Sequence, residues 1–157
     1  MSFDVRSLDK PVIVAPMAGG PTTPELAAAG SNAGGLGFLA AGYLTAEVLA
    51  ERIAAARQLT TGPLGVNLFV VQSSAARPTA IQEYAKELGG ESKRYGARLG
   101  EARFDDDHWS AKLDVVTDLK PEVVSFTFGL PSPQECARLR DAGITTLLAK
   151  LDGSHAD

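Results

Sequence analysis

Short, continuously apolar runs alternate along the chain with longer segments in which apolar residues recur every three or four positions. The apolar runs cover residues 12–15, 36–40, 64–69, 123–126 and 145–149. Runs of this kind are typical of strands buried on both faces in a parallel sheet, and the longer period is that of a helix. The pattern predicts about five βα units, forming either an open doubly wound sheet or roughly five-eighths of a (β/α)8 barrel.

Helix-start signals stand between these runs. Thr23 before Pro24 predicts the first helix, and Thr45 opens the second. Ser132 and Glu135 form a capping box for the last predicted helix, 133–142. The period places one face of the first helix in the core, formed by Leu26, Ala29, Gly30 and Ala33.

A polar stretch separates the third and fourth predicted strands. We expect a helix from about residue 78 to 88 and another from 108 to 119. The connection is too long for one βα loop, so 86–119 is interpreted as a partly helical insertion within a single domain, 1–157. It is either a flap over a site or a solvated excursion.

Composition narrows the class of protein. A net charge of -4 without basic clusters argues against nucleic-acid binding, and no apolar run is long enough for a membrane span. The N-terminus lacks the apolar segment of a signal peptide, so we expect a cytoplasmic protein. The one cysteine, Cys136, excludes an internal disulfide and is expected to be a small buried filler. No metal-ligand spacing is present.

Two features follow apolar runs, at the edge where parallel sheets bind ligands. In the turn Pro16-Met17-Ala18-Gly19-Gly20, the glycines either allow a flat ligand to approach or simply punctuate a tight turn. Asn67, in the third run, bonds either to a ligand's ring edge or to loop backbone. Gly37 indicates close backbone approach within the second run.

Neither of the two histidines is predicted to be catalytic. His108 follows three aspartates and is interpreted as a solvated helix start, and His155 stands three residues from the end. No Ser-His-Asp set or phosphate loop appears.

Several segments together resemble the nitronate monooxygenase family, also called 2-nitropropane dioxygenases. They are 11–20, 31–42, 65–69, Val123-Val124-Ser125-Phe126-Thr127-Phe128-Gly129 and Ala142-Gly143-Ile144. The resemblance implies a TIM barrel that binds FMN and oxidises alkyl nitronates with O2. It implies that the flavin ring lies along the residues of the glycine-rich turn and bonds to Asn67: the cofactor residues are Pro16, Met17, Ala18, Gly19 and Asn67. Phe128 and Gly129 are implied to lie near the substrate.

The resemblance also shows departures. Many relatives have histidine at the position of Thr127, and the family's general-base histidine and phosphate-binding loops are expected beyond residue 157. We therefore expect a truncated, inactive chain that binds FMN weakly or not at all and self-associates through open barrel edges. Alternatives are a related flavin barrel, such as an enoyl-carrier-protein reductase or an NADH:quinone reductase, and a non-catalytic remnant or half-barrel subunit.

Overall fold

The computed structural model describes residues 3–71 and 77–147. These residues fall into two compact units, one formed by Met1–Val71 with Asp107–Asp157 and the other by Gln72–Asp106. A short 3-10 turn, Val5–Ser7, precedes the first strand. The strands are β1 (Ile13–Val14), β2 (Leu36–Ala40), β3 (Leu64–Phe69), β4 (Val123–Thr127) and β5 (Thr145–Leu147). The helices are α1 (Pro24–Asn32), α2 (Ala46–Leu59), α3 (Pro78–Tyr95), α4 (Trp109–Leu119) and α5 (Pro133–Asp141).

The sheet is parallel throughout, and its strands lie in chain order, β1-β2-β3-β4-β5. A doubly wound sheet reverses its strand order at a switch point, whereas a barrel adds each strand beside the previous one. The order therefore resolves the choice that the sequence pattern left open. The larger unit is a partial (β/α)8 barrel of five strands.

Alternate residues of each strand point to opposite faces of the sheet. On β3, Leu64, Val66 and Leu68 join the main core with residues of α1, α2 and α4. The other face has a smaller cluster at its amino end, built from Leu36, Phe38 and Val123. The N-terminal segment packs on that cluster through Phe3, Val5 and Leu8.

The first strand is shorter than predicted. β1 comprises only two residues, and Val12 and Ile13 are 57% and 47% exposed, so the expectation of burial on both faces is wrong. The reason is position: among the described residues β1 pairs with β2 alone, and β5 pairs with β4 alone. Residues 148 and 149 of the fifth predicted run lie outside the described residues.

Helix α1 is capped by Thr23 as predicted, but its buried face is not the predicted one. Ala27, Ala28 and Ser31 are buried, while Leu26 is 38% exposed. The cause is the close approach indicated at Gly37, where a Cβ would lie 1.8 Å from the Ala27 carbonyl oxygen. Only the small residues of α1 can face the sheet at that distance.

The polar stretch contains two helices that belong to different units. Helix α3 extends to Tyr95, seven residues beyond the predicted end, and lies in the smaller unit. Helix α4 lies in the larger unit and buries Trp109, Leu113 and Val116 in the main core. In the described ranges, every helix is too short or too polar to cross a bilayer.

Candidate functional site

The glycine-rich turn follows β1 at the carboxyl edge of the sheet. Gly19 and Gly20 have φ angles of +83° and +118°, which favour glycine, and a Cβ at either would meet nothing within 4 Å. The backbone N–H of Met17 donates to Thr22 Oγ1 over 2.8 Å. The predicted cofactor residues Pro16, Met17, Ala18 and Gly19 therefore lie together in one open turn.

The first turn of α1 follows directly. Thr23 Oγ1 accepts a hydrogen bond from the Leu26 N–H at 3.2 Å. The pKa of the exposed Glu25 carboxyl is lowered, first by a hydrogen bond from its own backbone N–H and then by the Thr23 hydroxyl. The backbone N–H groups of Glu25 and Leu26, at the start of the helix, are thus already bonded to nearby side chains.

Asn67 lies in β3 and is only 6% exposed. Its Nδ2 donates to Ser125 Oγ at 2.9 Å, and its Oδ1 accepts from Thr127 Oγ1 at 3.2 Å. Both partners come from β4, so the alternative of a bond to loop backbone does not hold for these two contacts. A carboxamide has two N–H groups and two acceptor lone pairs. Among the described residues, these two bonds therefore leave Asn67 one donor and one acceptor.

Strand register brings the turn and Asn67 to the same level. Val14 is paired with Gly37, and Ala40, three residues further along β2, is paired with Asn67. Met17 is likewise three residues beyond Val14. One strand lies between β1 and β3, which separates them by about 10 Å. At that level β2 presents Ala40, a small buried residue.

Aromatic side chains follow β2, β3 and β4 at this edge. The Phe69 ring meets Phe128 at a centroid distance of 4.8 Å and Tyr43 at 5.3 Å, both in edge-on geometry. Phe128 and Tyr43 have φ angles of +72° and +66°, an uncommon backbone conformation for large residues. Strain of this kind is concentrated at ligand sites. Phe128 and the half-buried Gly129 come directly after Thr127, the last residue of β4.

An ion pair that the sequence did not predict supports Tyr43. Lys112 is 1% exposed, and its Nζ lies 2.7 Å from Asp107 Oδ2. The other oxygen of Asp107 accepts the Tyr43 backbone N–H at 2.8 Å. The aspartate run belongs to the insertion for which a flap and a solvated excursion were both left open. The available signal was helical spacing, because Lys112 falls on the same stripe of α4 as Trp109 and Val116.

The remaining candidates from the sequence are the two histidines and the cysteine. His108 is exposed and precedes α4, and His155 lies outside the described residues. Cys136 is half-buried in the first turn of α5. No group of three His, Cys, Asp or Glu side chains suited to a metal ion occurs in residues 3–71 and 77–147.

Glu135, also in the first turn of α5, links that helix to α4. Partial burial raises the pKa of its carboxyl, but hydrogen bonds from Trp109 Nε1 at 2.7 Å and from the Ser132 N–H at 2.7 Å outweigh that effect. The net pKa lies below the ordinary value of a glutamate. The carboxylate therefore joins the two helices in its charged form.

Comparison with known proteins gives the family. The nitronate monooxygenase family model matches residues 4–150. The chain belongs to the nitronate monooxygenase family. The nitronate monooxygenase of Paraburkholderia phytofirmans is 41% identical over 145 residues, which are 89% of this chain and 39% of that protein. This chain therefore spans about two-fifths of the length of that relative.

Solved structures agree with the fold. The nitroalkane oxidase of Streptomyces ansochromogenes superposes with a TM-score of 0.81 and 46% identity, covering 90% of this chain and 40% of that one. FabK from Thermotoga maritima is more distant, with a TM-score of 0.59 and 25% identity, covering 90% and 34% of the two chains. The resemblance predicted from sequence segments is thus confirmed.

Proposed function

We propose that this chain supplies the flavin-facing edge of an FMN-dependent nitronate monooxygenase, which oxidises alkyl nitronates with O2. When bound, FMN supplies the redox chemistry, accepting electrons from the nitronate and passing them to O2. The observation that carries the proposal is the pairing of an open glycine-rich turn with a positioned carboxamide at one level of the sheet. Family membership of nearly the whole chain supports it.

In this proposal, each residue has a binding or orienting role. The backbone of Pro16, Met17, Ala18 and Gly19 would hold one face of the flavin ring, and a Cβ at Gly19 or Gly20 would meet no atom within 4 Å. Asn67 directs its remaining donor and acceptor at the polar edge of the ring. Ser125 and Thr127 hold the carboxamide in place through one hydrogen bond at each of its ends.

Phe128 and Gly129 lie next to the substrate in the same proposal. The ring cluster of Tyr43, Phe69 and Phe128 presents apolar surface, which excludes water from one side of the reacting centre. Such a surface suits the alkyl part of a nitronate. Thr127 holds Asn67, so we assign it an orienting role and no proton transfer.

A chimera tests the proposed function. This chain, to Gly143, is joined to the Streptomyces nitroalkane oxidase from the residue that aligns with Ile144 onward. We expect the product to purify with FMN and to oxidise propyl nitronate with O2 consumption. Asn67→Leu should lower flavin content, whereas the exposed control substitution Gln58→Leu should not. A folded chimera that lacks flavin would contradict the proposal.

The second candidate is the alternative left by the sequence, a related flavin barrel such as an enoyl-carrier-protein reductase or an NADH:quinone reductase, and FabK is the more distant structural match. Its lower identity, 25% against 46%, makes it the weaker one. The same chimera separates the two only in part, since its second half comes from one enzyme. Assays of NADH oxidation with a quinone and with an enoyl thioester should therefore show no turnover above background.

A further inference from the structure

Thr22 closes the glycine-rich turn from within. Its side chain is completely buried, at 0% exposure, although the turn around it is open. Its Oγ1 accepts the Met17 N–H at 2.8 Å and lies 3.5 Å from the Ala15 carbonyl oxygen, toward which its own hydrogen can point. One hydroxyl therefore joins the beginning of the turn to its end.

Packing does not explain the shape of this turn. A Cβ placed at Gly19 or Gly20 would meet no atom of the described chain within 4 Å, so the outer side of the turn has no neighbour to support it. Two successive glycines also leave the backbone many alternative conformations. The hydrogen bond that the Met17 N–H donates to the buried Thr22 side chain is the restraint that selects one of them.

We propose that Thr22 is a positioning residue that holds Met17 to Gly20 in the conformation that meets the flavin ring. The inference rests on the proposed function and adds a residue to which the sequence assigned no role. A turn that is ordered before binding does not lose conformational freedom when the ligand arrives. Thr22 thus raises ligand affinity without touching the ligand.

Two substitutions at this position separate the hydroxyl from the volume. Thr22→Val keeps the branched shape and removes the acceptor, and Thr22→Ser keeps the acceptor. The neighbouring Thr23 provides the matched control, because Thr23→Val removes a hydroxyl that caps α1 through the Leu26 N–H and not one that closes the turn.

Amide hydrogen exchange of the full chain is the first readout. We expect Thr22→Val to speed exchange at the Met17 amide by about tenfold, the effect of one lost hydrogen bond. Thr22→Ser should stay within about threefold of the parent chain. Thr23→Val should speed exchange at Leu26 and leave Met17 unchanged. Unchanged exchange at Met17 in Thr22→Val, or no rescue by serine, overturns the inference.

The second readout is titration of the same variants with FMN in the chimera, after its flavin has been removed. Thr22→Val should raise the dissociation constant by about tenfold, and Thr22→Ser should restore it. A chimera that binds FMN equally well with threonine and with valine at position 22 overturns the inference and leaves the proposed function standing. A folded chimera whose Met17 amide is protected but that does not take up FMN contradicts the proposed function, and supports only the contact between Thr22 and the turn.

Discussion

Adding one methyl group at Gly37 should destabilise the barrel unit, because β2 and α1 touch there through their backbones. The Cβ of alanine would lie 1.8 Å from the Ala27 carbonyl oxygen and 2.7 Å from the Ala27 Cα. Neither atom belongs to a flexible side chain. Relief to a normal contact of about 3.5 Å requires α1 to move away by more than 1 Å.

The magnitude follows from what that movement disturbs. Overpacking of a core typically costs about 1–3 kcal/mol. Ser31 Oγ also accepts the Gly37 N–H at 3.1 Å and donates to the Pro63 carbonyl oxygen at 2.6 Å, and loss of this link adds about 1 kcal/mol. We therefore expect Gly37→Ala to lower the free energy of unfolding by about 3 kcal/mol.

Urea unfolding followed by the fluorescence of Trp109, the only tryptophan, measures this change in the larger unit. Gly90→Ala is the matched control, since a Cβ there would meet nothing within 4 Å and the residue is inside α3. Hydrogen exchange should show α3 stabilised by about 0.5–1 kcal/mol in that variant. A Gly37→Ala loss below 1 kcal/mol would refute the steric reasoning.

Three further substitutions test other contacts. Lys112→Met, which leaves the Asp107 carboxylate without its cation, should cost about 3 kcal/mol in urea unfolding, and adding Asp107→Asn should recover part of it; additive losses would contradict the pair. Because the pKa of Glu135 is lowered on folding, it stabilises the protein above the ordinary carboxyl pKa of about 4.3, and that contribution disappears as the pH falls through the folded-state value. The urea midpoint of the parent chain should therefore fall between about pH 6 and pH 3, and Glu135→Gln should reduce that fall. A fall of unchanged size in the variant would count against the Trp109 contact. Val12→Lys, at the exposed edge of β1, should reduce self-association in sedimentation velocity without changing the urea midpoint.

The strands with two neighbours were the parts of the fold that sequence patterns predicted best. The runs at 36–40 and 64–69 match β2 and β3 because both strands are buried between neighbours and bounded by loops. The run at 12–15 was too long, since an edge strand has the same apolar composition but only one partner. The apolar run alone does not show whether its strand will lie at the edge of the sheet or between two neighbours.

The candidate site was likewise predicted only in part from the sequence. Asn67 and the glycine-rich turn were found because their residue types are unusual at the end of a buried run. Their partners Ser125, Thr127 and Thr22 were missed, because small hydroxyl residues are common and their role depends on strand register and turn geometry. Contacts between residues distant in sequence become visible only when the chain is folded.

The most direct test of the account is a titration of the isotopically labelled chimera, freed of its flavin, with FMN, observed by amide chemical shifts. The account predicts saturable shifts at the amides of Met17, Ala18 and Gly19 and at the Asn67 side-chain amide, with residues of α3 unaffected. Riboflavin should give the same pattern, since the proposed contacts involve only the ring. Shifts absent from the turn and from Asn67, or confined to another surface, would contradict the assignment of this edge as the flavin site.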